Sequence, residues 1–154
     1  MDKQKTIDAL NQLIIINNDR IEGYNTAADG TEDADLKRLF GRLATNSQRF
    51  KSELSTEVQR LGGEEADGTK VTGKMFRAWM DVKAALTGKD RKAVLNSCEF
   101  GEDKALESYK DVLHNDREHL TPEQFNIISA QKQIIKADHD EIKKLRDAAA
   151  NASS

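Results

Sequence analysis

The chain has 154 residues and a net charge of −3, enough for one domain with one core and too mixed in sign for a nucleic-acid-binding surface. Charged residues reach 33%, but the apolar ones recur at helical spacing, which excludes a disordered chain. A single proline, glycines gathered mostly at segment ends and a lone cysteine, Cys98, point to an all-helical protein suited to a reducing cytoplasm. The start leads into amphipathic sequence rather than a signal peptide, and Leu13-Ile14-Ile15-Ile16 is too short to span a bilayer, so no membrane partner is expected.

The first helix is predicted over 3–28, with Ile7, Leu10, Ile14, Ile21 and Tyr24 on one face and Asn17 on the same seam. Asp29-Gly30 should end it, with Gly30 free to take positive φ. The second helix, over 32–61, starts from Thr31 or Asp33 and carries Leu36, Leu39, Phe40, Leu43, Phe50, Leu54, Val58 and Leu61. Ser47 interrupts that stripe, and Gly62-Gly63 stops the helix. So short a connection makes the two helices an antiparallel hairpin.

A polar, glycine-containing stretch follows, then a short helix over 74–87 with Met75, Phe76, Trp79, Val82 and Leu86. The third long helix is expected over 90–115, capped by Asp90, with Val94, Leu95, Cys98, Glu102, Ala105, Tyr109 and Val112 on its inner face. Thr121-Pro122-Glu123-Gln124 opens the fourth, over 121–149, as a capping box with proline in the first helical position. Phe125, Ile128, Ile135, Ile142 and Leu145 face inward, with Asp138 and His139 midway along.

Two antiparallel helical hairpins joined by a long crossover carrying a short extra helix make an all-α, ferritin-like four-helix bundle, here a single domain over 1–154. Each long helix breaks its apolar stripe near the middle, where Gly23, Gly41 and Gly101 suggest close helix approach or room for a neighbouring side chain. Glu102 stands among apolar neighbours, and an ionised group there costs several kcal/mol unless paired. One reading is a buried polar layer that fixes helix register, with Glu102 and Asp138 or His139 satisfied by each other or by Asn17, Tyr24 or Arg49.

The other reading is a metal site. A carboxylate-bridged di-iron bundle needs a Glu from two helices and a Glu-x-x-His pair from each of the others. Here the second helix has no His, and three residues before His139 stands Lys136, which argues against a full di-iron site. Glu22, Glu99, Glu102 and His139, with Asp138 beside them, remain the candidate ligands for a single divalent ion. His114, Asp116, Glu118 and His119 read as helix-end polar residues, and Cys98 as a small buried hydrophobe. No phosphate-binding glycine loop or nucleophile elbow has the flanking strand it requires.

Several blocks resemble one bacterial family: Leu10-Asn11-Gln12-Leu13, Glu22-Gly23-Tyr24 and Gln48-Arg49-Phe50, then Leu61-Gly62-Gly63, Arg77-Ala78-Trp79 and Cys98-Glu99-Phe100-Gly101-Glu102-Asp103, and finally His139-Asp140. The family consists of ferritin-like four-helix-bundle proteins carried as a domain of unknown function. The family pattern often has His before Arg-x-Trp, where this chain has Phe76, so no role for that His carries over. The resemblance implies a ferritin-like fold and no established activity. The expected function is therefore a non-enzymatic bundle acting as a homo-oligomer or through a protein partner; the apolar helix around Phe76 and Trp79 is read first as a cover for the side of the bundle and second as that interface. A metal-binding or oxidase-like relative is the alternative. The acidic balance argues against a membrane-surface role for the same helix.

Overall fold

The computed structural model describes residues 2–66 and 91–152. Four long helices account for nearly all of them: α1 (Lys3–Gly30), α2 (Ala34–Arg60), α3 (Arg91–Asn115) and α4 (Pro122–Ala152). A single 3-10 turn, Arg117–His119, links α3 to α4. The short helix expected over 74–87 and the Asp90 cap lie outside the described residues.

Local chemistry sets the helix ends. Asp2 caps α1 by accepting from the Gln4 and Lys5 amides, and Asp33 caps α2 through Asp35 and Leu36. Helix α1 runs through Gly30, and Thr31, in extended conformation, takes the C-cap with its amide on Ala27. The expected left-handed turn at Gly30 does not form: the extended Thr31 provides the exit instead, and its hydroxyl accepts from the Asp33 amide at 3.1 Å. Gly62 is the glycine that does turn left-handed, at φ 75°. Its amide bonds Gln59 O at 3.0 Å and the Gly63 amide bonds Val58 O at 3.0 Å, a Schellman closure of α2. The α4 capping box forms as the spacing requires: Gln124 N donates to Thr121 Oγ1 at 3.1 Å, and Thr121 N donates to Gln124 Oε1 at 3.0 Å.

Helices α1 and α2 form one antiparallel hairpin and α3 and α4 the other, and they dock with α1 against α3 and α2 against α4. Thr6 on α1 donates to His119 O beside the α3–α4 turn, which marks one pole. Arg91, at the start of α3, pairs with Asp33 at the start of α2, which marks the other. Helix α2 therefore ends at one pole while α3 begins at the opposite one. The result is an all-α four-helix bundle in which the two middle helices run in the same direction. At 1.5 Å per residue α2 is roughly 40 Å long, which sets the distance between poles.

The core has two parts. One collects Leu10, Leu13, Ile14, Phe50, Leu54, Tyr109, Ile128 and Ile135; the other collects Tyr24, Leu36, Phe40, Leu43, Leu95, Cys98 and Ile142. Fully buried apolar side chains of this size stabilise the fold by about 1.5–3 kcal/mol each. Ile21, expected inward, is only partly buried, and Arg20 takes the inward position instead. Gly41 does not mark a close helix approach: a Cβ built there meets nothing within 4 Å.

Candidate functional site

The two apolar regions are separated by a polar layer to which all four helices contribute. Its centre is Arg20, 1% exposed. The Arg20 Nε and Nη2 atoms donate to Glu102 Oε1 at 3.1 and 2.9 Å, and Nη2 also reaches Oε2 at 3.1 Å. Nη1 donates to Ser47 Oγ on α2 at 2.7 Å, and Nη2 lies 3.6 Å from Asp138 Oδ2 on α4. Tyr24 donates its hydroxyl to Glu102 Oε1, and Asn46 Nδ2 donates to Asp138 Oδ2 at 3.4 Å.

This arrangement is one guanidinium against two carboxyl groups, with Arg20 and Glu102 fully enclosed and Asp138 nearly so. Burial is the largest influence on Glu102 and raises its carboxyl above the ordinary range, against the pull of Arg20 and Tyr24. Burial likewise raises Asp138, against Arg20 and Asn46. Burial also disfavours the Arg20 cation, but Glu102, Tyr24 and Asp138 together outweigh it and hold the guanidinium above its usual value. Burial pushes the Tyr24 hydroxyl and the Cys98 thiol upward too, with Glu102 adding to both. Cys98 is consequently an inert thiol packed in the core.

A second buried chain lies on the Leu13 side of this layer. Asn17 Nδ2 donates to Tyr109 OH at 2.8 Å, and Tyr109 OH donates to Gln131 Oε1 at 2.7 Å. Gln131 Nε2 closes the chain on Phe50 O and Glu53 Oε1 at 3.3 and 3.1 Å. It too draws on every helix, with two groups from α2.

A third cluster lies in the groove between α3 and α4. Glu99 and Asp103 are one helical turn apart on α3, so their side chains share a face. His139 on α4 reaches both: its Nε2 is 2.8 Å from Asp103 Oδ1 and 3.8 Å from Glu99 Oε1. Its Nδ1 lies 3.1 Å from Asp140 Oδ1. Arg146 bonds the other Glu99 oxygen, and Lys136 holds Asp140 at 2.8 Å. Bonds from Lys136 and His139 keep the Asp140 carboxyl below its ordinary range. His139 and Glu99 are mostly buried, while Asp103 is half-exposed.

The four residues named as ligands from the sequence are thus placed apart. Glu99 and His139 come together, joined by Asp103, which the sequence reading had not singled out. Glu102 is in the core layer, enclosed by Arg20 and Tyr24, and Glu22 is on the exposed side of α1. Asp138 joins Arg20 rather than His139. Arg49, expected as a partner for Glu102, is exposed with its guanidinium 5.3 Å over the Phe50 ring.

Arg20 is the functional residue that sequence reasoning missed, and a signal for it existed. Asn17, Arg20 and Tyr24 follow one another at helical spacing on a single seam, and buried Glu102 demands a cation. All three Arg20 nitrogens are engaged, and Glu102 accepts three bonds on Oε1 and one on Oε2, so the guanidinium already supplies the positive charge at this carboxylate.

Over residues 5–115 the sequence matches the model of the family described as Domain of unknown function (DUF2383), and the chain belongs to that family. The match takes in α1 to α3, including Arg20, Glu99 and Glu102, and stops before Asp138 and His139. No curated protein matches the chain.

Proposed function

We propose that this DUF2383 domain is a ferritin-like bundle of the cytoplasm that has no catalytic core and works by association, as a homo-oligomer or with a protein partner. The observation that carries the reading is Arg20. In a di-iron bundle, inward carboxylates and histidines gather around metal ions. Here a guanidinium takes the cation's place, bonded to Glu102 and Ser47 and paired with Asp138, and the layer serves helix register. The opposite-pole connection from α2 to α3 supports the ferritin-like assignment, and the lone, buried Cys98 suits a reducing compartment.

The associating surface is assigned to the apolar residues of the crossover, Met75, Phe76, Trp79 and Met80. Trp79 is the one tryptophan of the chain, so its emission reports on that segment alone. Light scattering coupled to size exclusion should give a mass that is a multiple of 17.2 kDa, or a stable complex with a partner. Trp79→Glu with Phe76→Glu should return the chain to monomer and leave helical content unchanged. A strict monomer whose Trp79 is already shielded from acrylamide would overturn the reading.

A further inference from the structure

We propose that Glu99, Asp103 and His139 form a site for one first-row divalent cation, of the Zn²⁺ or Fe²⁺ class, in the groove between α3 and α4. One ligand atom from each residue lies within 4.8 Å of the others. Metal–ligand bonds of about 2.0–2.2 Å require neighbouring ligand atoms to stand roughly 3–3.5 Å apart. The observed 2.8 and 3.8 Å separations from His139 Nε2 bracket that range, so rotamer-scale movement completes the set.

A second, independent feature is what holds the ligands. Metal-binding histidines donate their other ring N–H to a carboxylate or carbonyl, and ligating carboxylates are themselves hydrogen-bonded. His139 Nδ1 lies 3.1 Å from Asp140 Oδ1, so in the tautomer that donates from Nδ1 the Nε2 lone pair would face Glu99 and Asp103 and be open to a cation, and Lys136 fixes Asp140 in turn. Arg146 occupies Glu99 Oε2 and leaves Oε1 toward the ring. Glu99, Asp103, Asp140 and Asp147 outnumber Arg146 and Lys136 around the ring, which favours a cation. The occupant that competes for the same lone pair is a proton, which would make His139 an ion-pair partner of Asp103.

One imidazole and two carboxylates suit borderline metals. Soft Cu(I) takes thiolates, and Ca²⁺ and Mg²⁺ take all-oxygen shells. Because Asp103 is half-exposed, the remaining coordination positions open to solvent. The site is separate from the Arg20 layer and does not depend on the association reading.

The test uses the full chain with any purification tag removed and metal stripped by chelator. Zn²⁺ titration by calorimetry should show one saturable site, and Co²⁺ should give a visible absorption band. His139→Gln should abolish both signals, and Asp103→Asn should weaken binding at least tenfold by loss of one ligand. Asp140→Asn, which touches no metal, should weaken it by about 10–100-fold. Glu22→Gln should change nothing. The proposal fails if neither ion binds saturably at micromolar concentration, or if binding survives both Asp103→Asn and His139→Gln. Asp103 is half-exposed, so its variant keeps the test decisive even where His139→Gln perturbs folding.

Discussion

Replacing Arg20 by Met removes the cation from the core while keeping most of the stem's volume. Three nitrogen contacts to Glu102 at 2.9–3.1 Å, the 2.7 Å bond to Ser47 and the 3.6 Å pairing with Asp138 all disappear. Breaking a buried ion pair from one side costs about 3–5 kcal/mol, because the remaining charge is stranded. Domains are stable by only about 5–15 kcal/mol, so the loss is a large share of the total. The pH dependence carries the sign. The folded carboxyl of Glu102 already lies above its ordinary value through burial, and removing Arg20 raises it further. A group raised on folding contributes stability that is fully present below its unfolded value, about 4.3, and lost as pH rises through the folded value. Asp138, also raised, acts in the same direction. The Arg20→Met deficit is therefore largest near neutral pH and shrinks at acidic pH, as the raised Glu102 carboxyl takes up its proton. Adding Glu102→Gln should recover at least half of the deficit, because the amide stays bonded to Tyr24 without a charge. Urea unfolding followed by far-UV circular dichroism at both pH values measures each quantity. A deficit under about 1 kcal/mol, the scale of a surface ion pair, or one that does not change with pH, would refute the reasoning.

Tyr109→Phe removes the hydroxyl between Asn17 and Gln131 and should cost about 1–3 kcal/mol in the same assay, because Gln131 Oε1 loses its donor inside the core. Gly41→Ala should stabilise α2 by about 0.5–1 kcal/mol, since the added methyl meets nothing within 4 Å and the unfolded chain loses freedom. Gly63→Ala should do the opposite, by about 1–3 kcal/mol, because its methyl would lie 2.8 Å from Ile7 Cδ1 and 3.0 Å from two further Ile7 atoms. Thermal melts of the two glycine variants should therefore move in opposite directions.

The parts of the fold that were legible in the sequence depend on local chemistry or on repeated pattern. The α2 stripe from Leu36 to Val58 is inward because many positions agree, and one misread residue does not rotate a helix. The Thr121–Gln124 box and the Gly62 closure involve residues close in sequence, so spacing alone specifies them. Arg20 was passed over, despite its seam with Asn17 and Tyr24, because a charge ordinarily marks the solvent face. Its partners, on three other helices, make that burial tolerable. The grouping of Glu99 with Asp103 and His139 depends on how α3 and α4 are rotated against each other. An apolar stripe defines that rotation too coarsely to separate Glu99 from Glu102, which differ by three residues and face different surroundings.

The Arg20 layer also divides unequally between the hairpins. Arg20, Tyr24, Asn46 and Ser47 come from α1 and α2, whereas Glu102 and Asp138 come from α3 and α4. One hairpin thus offers a cation, with Tyr24 and Asn46 as neutral donors, and the other offers only acceptors. Neither half can desolvate its contribution alone, and a slip of one helical turn, about 5.4 Å, would separate plug from socket. Docking of the halves is therefore the step at which this chain distinguishes its own fold from a slipped packing of similarly greasy helices.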